Sequence, residues 1–390
     1  MAVSSLLDRR TLPPLSMKRF GDLYQKIIDK ENLVKAHQRA RKGKTSKEAV
    51  RYVDEHLEEC VELLHAALKN HTYRVSDYRA KTVYEPKERT IYMLPYFPDC
   101  IVQHAILLVL EDIWDKRFLY QSYACRKGKG QHKASALCMQ YVRQYKYVLK
   151  CDISKFFYSI PHAGLKGVIR QKIKCKETLA LLDEIIDSIN RPIDFAILCV
   201  LMSSRSSAFH TRLFAETLRV LSGLRGKNTP IGNYLSQWFG NLYLNELDTV
   251  IKHKHHVKAY LRYCDDFLLF GDDKKFLNEM KCYIRAFVED TLHLKLSKSD
   301  LFPVMRGVDF LGYRHFPKGY ILIRKSTAKR QRKNIKAIMY QLRHGVINAE
   351  QALSKITSVR GWMKWANTHN LQIAMQLSEL EKEIMSEEVQ

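Results

Sequence analysis

The chain has 390 residues, 46% of them hydrophobic, enough to bury a core and to form two or three domains or subdomains. Its 65 Lys and Arg against 41 Asp and Glu give a formal net charge of +24, the balance of a protein that handles polyanions, with nucleic acid as the leading candidate. No run reaches ~18 apolar residues, so no membrane partner is expected; the start, MAVSSLLDRRTLPP, has no signal-peptide core, and nine cysteines without a CxxC pair read as reduced thiols of a cytoplasmic protein without a zinc site.

In chain order, residues 35–51 carry seven Lys or Arg and one Glu. A solvated basic helix face explains this as well as a binding surface for structured RNA or a partner protein does. A helical segment, VDEHLEECVELLHAALKN, leads into VYEPKERTIYMLPYFPDC, which reads as a strand pair passing through prolines into a helix from about Cys100. YACRKGKGQHK is glycine-punctuated and basic, hence a loop. YKYVLKCDI reads as a strand ending at Asp152, and helical patterns fill 162–190. The segment 191–228 is ambiguous. TPIGNYLSQ is a loop feeding a long helix, WFGNLYLNELDTVIK. HVKAYLRYC and DFLLFGDD are strand runs that meet at an acidic pair, a hairpin signal. A helix follows over about 273–291, then short strands around VDFLGYRHF and YILIR. From Lys325 the pattern is helical to the end. Strands interleaved with helices, with acids at strand ends, predict an α+β fold with helices packed on one face of a sheet.

The chemistry concentrates in RYCDDFLLF. Asp265 and Asp266 lie inside an apolar, aromatic run, where a buried charge needs a partner or a metal. An isolated Asp-Asp pair is usually a polar turn. Its tight apolar frame and the matching KCDISKFF argue for more: if the strands are neighbours, Asp152, Asp265 and Asp266 converge at one sheet edge. Such an oxygen-only cluster suits Mg²⁺, with Mn²⁺ as a substitute, and two such ions can activate a 3′-hydroxyl and hold the oxygens of a phosphoryl transfer. On this expectation the acids are compensated by metal and not by a basic side chain.

The remaining motifs are individually weaker. Phe157 follows Asp152 closely enough to bring its ring beside that site and exclude a ribose 2′-hydroxyl, although a core phenylalanine is the plain alternative. Gly232 and Ser236 open a helix, and glycine lets backbone approach a base pair or phosphate. Arg89 and Lys87 precede an extended segment and suit a triphosphate, or simply solvent. Residues 310–349 hold ten Lys or Arg and no Asp or Glu, a composition suited to duplex backbone contacts; Lys329, Arg330, Arg332 and Lys333 are its densest part.

Together these stretches resemble a known family. RYCDDFLLF looks like the YxDD motif of reverse transcriptases, KCDISKFFYSI like their first catalytic aspartate motif, and VDFLGYRHF like the primer grip. PKERTIYMLPYFPDCIVQHAI and SYACRKGKGQHKA resemble fingers motifs of bacterial and group II-like enzymes. Where most bacterial relatives carry QGxxxSP, this chain has IGNYLSQ, with Ile231 for Gln and Gln237 for Pro. That variant is similar to the reverse transcriptases of diversity-generating retroelements. The resemblance implies a right-hand polymerase, with an N-terminal extension over 1–34, fingers and palm over 35–323 and a helical thumb over 324–390. It implies RNA-directed DNA synthesis from dNTPs on a template-repeat RNA, errors at template adenine, a cDNA/RNA duplex product, and a small basic accessory protein that forms a ring-like oligomer. It further implies Asp152, Asp265 and Asp266 as catalytic and metal-binding acids, with the Ile153 carbonyl as a further ligand and Phe157 as a steric gate. Arg89 would contact the incoming nucleotide, Ile231, Gly232, Ser236 and Gln237 would line the nascent base pair, and Lys298 would aid pyrophosphate departure. Cys264 departs from the usual YxDD residue. A group II intron, retron or defence-associated enzyme, or a catalytically silent RNA-binding relative, are the alternatives.

Overall fold

The computed structural model describes residues 19–84, 88–190, 226–230 and 232–387. Residues 191–225 of the ambiguous 191–228 segment, Lys87 and Ile231 lie outside the described residues. Cα packing divides the chain into two compact units, each assembled from several stretches.

The first unit comprises residues up to Leu119, Ile153–Thr249 and Phe287–Lys295. It is mainly helical. Asp29 caps the Lys30–Ala40 helix by accepting from the Asn32 amide at 3.1 Å. That helix packs on the Ile101–Asp115 helix, whose apolar run IVQHAILLVL is buried almost all round. Trp114 on the second helix meets Trp238 and Phe239 of the Tyr234–Thr249 helix, with ring centroids 6.2 Å apart in both pairs. Antiparallel strands β1 (Arg79–Val83) and β2 (Arg89–Met93) form a two-stranded ribbon with Arg79 opposite Met93. Tyr158 Oη holds the ribbon by donating to the Thr90 carbonyl at 2.6 Å.

The second unit comprises Tyr120–Asp152, Val250–Ala286 and Leu296–Gln390. Its centre is a four-stranded sheet ordered β4-β5-β3-β6, from β3 (Tyr147–Ile153), β4 (Ala259–Tyr263), β5 (Asp266–Gly271) and β6 (Leu296–Pro303). β5 is antiparallel to both β3 and β4. Alternation along these strands sends Val148, Ala259, Leu261, Leu268 and Phe270 into one core with Ala134, Cys138 and Val142 of the Gln131–Gln144 helix. A second antiparallel sheet, β7 (Val308–Phe310), β8 (Tyr313–His315) and β9 (Ile321–Ile323), follows.

β6 is a strand that periodicity did not predict. LSKSDLFP is polar and has no fully buried residue, because it forms an edge of the sheet. The C-terminal helices Lys325–Arg343, Ala349–Met363 and Leu377–Glu387 share their own apolar cluster of Ile335, Ile338, Met339, Ile356, Met363 and Leu377. A capping box starts the middle helix: Asn348 Oδ1 accepts from the Gln351 amide at 2.8 Å, and Gln351 Oε1 accepts from the Asn348 amide at 3.4 Å. The fold is the expected mixed α+β type with antiparallel sheets. Among the described residues no helix is long and apolar enough to cross a membrane.

Candidate active site

β4 and β5 form a hairpin with only Cys264 and Asp265 between the paired residues Tyr263 and Asp266. Cys264 takes φ +53°, the left-handed conformation that tight hairpin turns require. The fully buried Arg262 fixes the turn by donating from Nη1 to the Cys264 carbonyl at 3.1 Å, and the Cys264 thiol shares a hydrogen bond with the Cys125 thiol. On the other side of β5 the register sets Asp266 directly opposite Asp152. Two acids far apart in sequence thus become cross-strand partners, with the third in the adjoining turn.

Each of the paired acids is oriented by a residue that the motifs did not single out. Ser297 Oγ, on β6, donates to Asp152 Oδ2 at 2.5 Å and lies 3.1 Å from the Asp152 carbonyl oxygen. Lys150 Nζ lies 3.3 Å from Asp266 Oδ2 and donates to the Asp309 carbonyl at 2.5 Å. This corrects the expectation that the acids have no basic counter-charge: β3 supplies one. Lys150 stands two residues before Asp152, on the same face of the strand, so period-two alternation was the signal for it. Burial pushes the Asp266 carboxyl up to about 6, against the pull of Lys150, and the charges of Asp152 and Asp265 add to the rise.

Among the described residues no three His, Cys, Asp or Glu side chains are gathered into a metal cage. The donors nonetheless fit a hard divalent cation. All are carboxylate oxygens, and Asp266 Oδ1 is buried without a hydrogen-bond partner, an acceptor in need of a cation.

In the first unit, a pocket of about 240 Å³ brings together Phe157, Gly232, Ser236 and Gln237, all four anticipated from sequence. Gly232 sits at φ +123°, where a Cβ would lie 2.3 Å from the Tyr92 carbonyl oxygen, so only glycine fits. Gly240 makes room for the rings of Phe156 and Phe157: a Cβ there would meet Phe156 at 2.9 Å and Phe157 at 3.2 Å. The Phe157 carbonyl accepts from the Thr229 amide at 2.8 Å.

Lys44, Gln103 and His104 also line this pocket. Gln103 Oε1 accepts from the Leu235 amide at 3.2 Å, and His104 stacks on Tyr234 at 4.1 Å. Burial holds His104 down to about 4, with the charges of Arg39 and Lys44 adding to the effect, so it is neutral near pH 7. A Gln-His pair inside the apolar run IVQHAILLVL was the sequence signal for these two.

Arg89 is exposed on β2 and does not line the pocket. Ile153 is the buried last residue of β3, and Lys298 is exposed on β6. On the Lys325–Arg343 helix Lys329, Arg332 and Lys333 are exposed and Arg330 is half-buried, while Thr327, Ile335, Ile338 and Met339 face inward.

Comparison with known proteins finds relatives of low identity. Protein YkfC of Escherichia coli is 26% identical over 261 residues, covering 60% of this chain and 66% of YkfC. Group II intron-encoded protein LtrA of Lactococcus lactis subsp. cremoris is 24% identical over 196 residues, covering 50% of this chain and 28% of LtrA. The chain therefore spans less than two thirds of either relative. A solved structure of telomerase from Candida albicans, in complex with a TWJ fragment of telomeric RNA, is similar at a TM-score of 0.39 and 13% identity, covering 79% of this chain and 57% of that one. Residues 80–315, which run from within β1 to the end of β8 and include Asp152, Asp265 and Asp266, match the family described as Reverse transcriptase (RNA-dependent DNA polymerase), and the chain belongs to that family.

Proposed function

We propose that the protein is an RNA-directed DNA polymerase, with Asp152, Asp265 and Asp266 as its catalytic acids. The observation that carries this reading is the register of β3 on β5, which makes Asp152 and Asp266 neighbours and puts Asp265 in a two-residue turn beside them. Ser297 and Lys150 orient two of the carboxylates, and the bare Asp266 Oδ1 is left to bind cation. Mg²⁺ held by these oxygens would supply charge neutralisation for attack of a primer 3′-hydroxyl on a nucleotide phosphate. Phe157 acts as the gate against a ribose 2′-hydroxyl, Arg89 contacts the triphosphate, and the backbone at Gly232 with Ser236 and Gln237 lies along the nascent base pair. The basic face with Lys329, Arg330, Arg332 and Lys333 belongs to a thumb that holds the template–primer duplex. Primer extension on poly(rA)/oligo(dT) with Mg²⁺ tests the enzyme reading. The wild type should extend and Asp265→Ala should lose at least ~10³-fold of the rate, as loss of a metal-binding acid requires. Equal extension by both would leave a silent RNA-binding relative.

Within the family we place the chain with the error-prone enzymes of diversity-generating retroelements, working with a template RNA and a small basic accessory protein. IGNYLSQ supports this, because Ile231 offers the template base no hydrogen bond where Gln would. A lost contact of ~1 kcal/mol costs several-fold in selectivity. Ile231→Gln should lower misincorporation opposite template adenine more than total synthesis, read by sequencing the cDNA. An unchanged adenine error frequency with synthesis intact would remove Ile231 as a fidelity determinant. The similarity to LtrA favours a group II-like enzyme as the second reading. A template repeat and a variable repeat in the flanking DNA would separate the two.

A further inference from the structure

Lys150 is an unusual neighbour for three acids expected to bind cations. Its side chain is only 15% exposed, and the Asp266 side chain 24%. One ammonium joins three segments: β3, on which it stands, the Asp266 carboxylate on β5, and the Asp309 carbonyl on β7. The short bond to Asp309 anchors Nζ, so the charge cannot swing away into solvent. The result is an asymmetric carboxylate: Asp266 Oδ2 faces Lys150, while Oδ1 is buried without a partner. A lysine serving only as a peg between β3 and β7 would need the carbonyl alone.

We infer that Lys150 is the resident counter-cation of the acid hairpin, a positioning residue that keeps Asp266 Oδ1 free for a divalent ion while holding the cluster's affinity for that ion down. The inference rests on the proposed reading of Asp152, Asp265 and Asp266 as metal-binding acids. A fixed positive charge a few ångströms from an incoming divalent cation repels it, and the repulsion persists because a largely buried ammonium is poorly screened. Without Lys150 the Asp266 carboxylate faces the ion without that opposing charge. The residue therefore sets a weak, exchangeable metal site in place of a tight permanent one.

Mn²⁺ alone serves as the probe, titrated into the full chain without nucleic acid and followed by loss of the free-ion paramagnetic resonance signal. Wild type should bind weakly, and Asp265→Ala should abolish that binding. Lys150→Met should bind Mn²⁺ roughly tenfold more tightly, the effect of removing one charge at a partly solvated site. Lys150→Arg should stay within about twofold of wild type, because it keeps the charge. A structural peg would leave the affinity unchanged or weaken it, and either result in a folded Lys150→Met protein overturns the inference. Should that variant fail to fold by circular dichroism, Lys150→Gln, which retains a donor for the Asp309 carbonyl, gives the same comparison. If wild type shows no Asp265-dependent Mn²⁺ binding, the metal-site reading itself falls, whatever Lys150 does.

Discussion

In the acid hairpin, Asp152 and Asp266 meet because two strands are in register, and a two-residue turn adds Asp265. The pocket around Gly232 is built differently. Its lining comes from Lys44, Leu94, Phe157, residues around Cys100 and His104, and residues between Gly232 and Gln237, stretches that only tertiary packing joins. The hairpin is fixed by backbone pairing and is vulnerable chiefly to charge, whereas the pocket is fixed by close approach and is vulnerable chiefly to volume. In the one, like carboxylates crowd together and need Lys150; in the other, a peptide passes so near Tyr92 that no side chain fits.

The larger effect on stability should come from the pocket. Gly232→Ala puts a Cβ 2.3 Å from the Tyr92 oxygen at a φ of +123°. The backbone conformation alone costs roughly 1–3 kcal/mol, and the clash adds to it. Melting should occur several degrees lower, and the KM for dNTP should rise about tenfold or more. A wild-type melting point and KM would show that this backbone yields freely, which would break the contrast.

A charge effect of intermediate size is expected in the hairpin. The folded-state carboxyl of Asp266 is raised, to about 6 from 3.8, so the native state favours the protonated form. The associated stability is present below pH ~4 and is lost as pH rises through about 6. In EDTA at pH 7.5, Asp266→Asn should therefore be more stable than wild type by about 1–3 kcal/mol, with the gap closing towards pH 4. Denaturant melts at the two pH values measure this. A gap that is the same at both would mean that Asp266 carries no burial penalty.

The smallest effect per residue concerns the basic helix, which belongs to neither region. Neutralising Lys329, Arg330, Arg332 and Lys333 together should weaken template–primer binding. It should also flatten the slope of log K against log salt by up to ~0.9 per lost phosphate contact, less on single strands. An unchanged slope would show that this face serves something else.

The sequence by itself determined the hairpin. Short apolar runs on either side of Asp265 and Asp266, and again before Asp152, are local signals of buried strands, and strand pairing in register is the simplest way to bury them. It also determined the helical C-terminal part and the glycine-opened helix at Tyr234, because caps, glycines and apolar spacing act within a few residues. Tertiary structure decided the rest. β6 escaped notice because an edge strand needs no apolar alternation, yet it delivers Ser297 to Asp152. Lys150 is one more lysine among many until the fold closes β7 over it and turns it towards Asp266. Gln103 and His104 were polar interruptions in an apolar helix until the Tyr234 turn came to rest on them. In each case the partner lies more than a hundred residues away: a local pattern can flag the residue, but which partner it meets is set by the packing of whole elements.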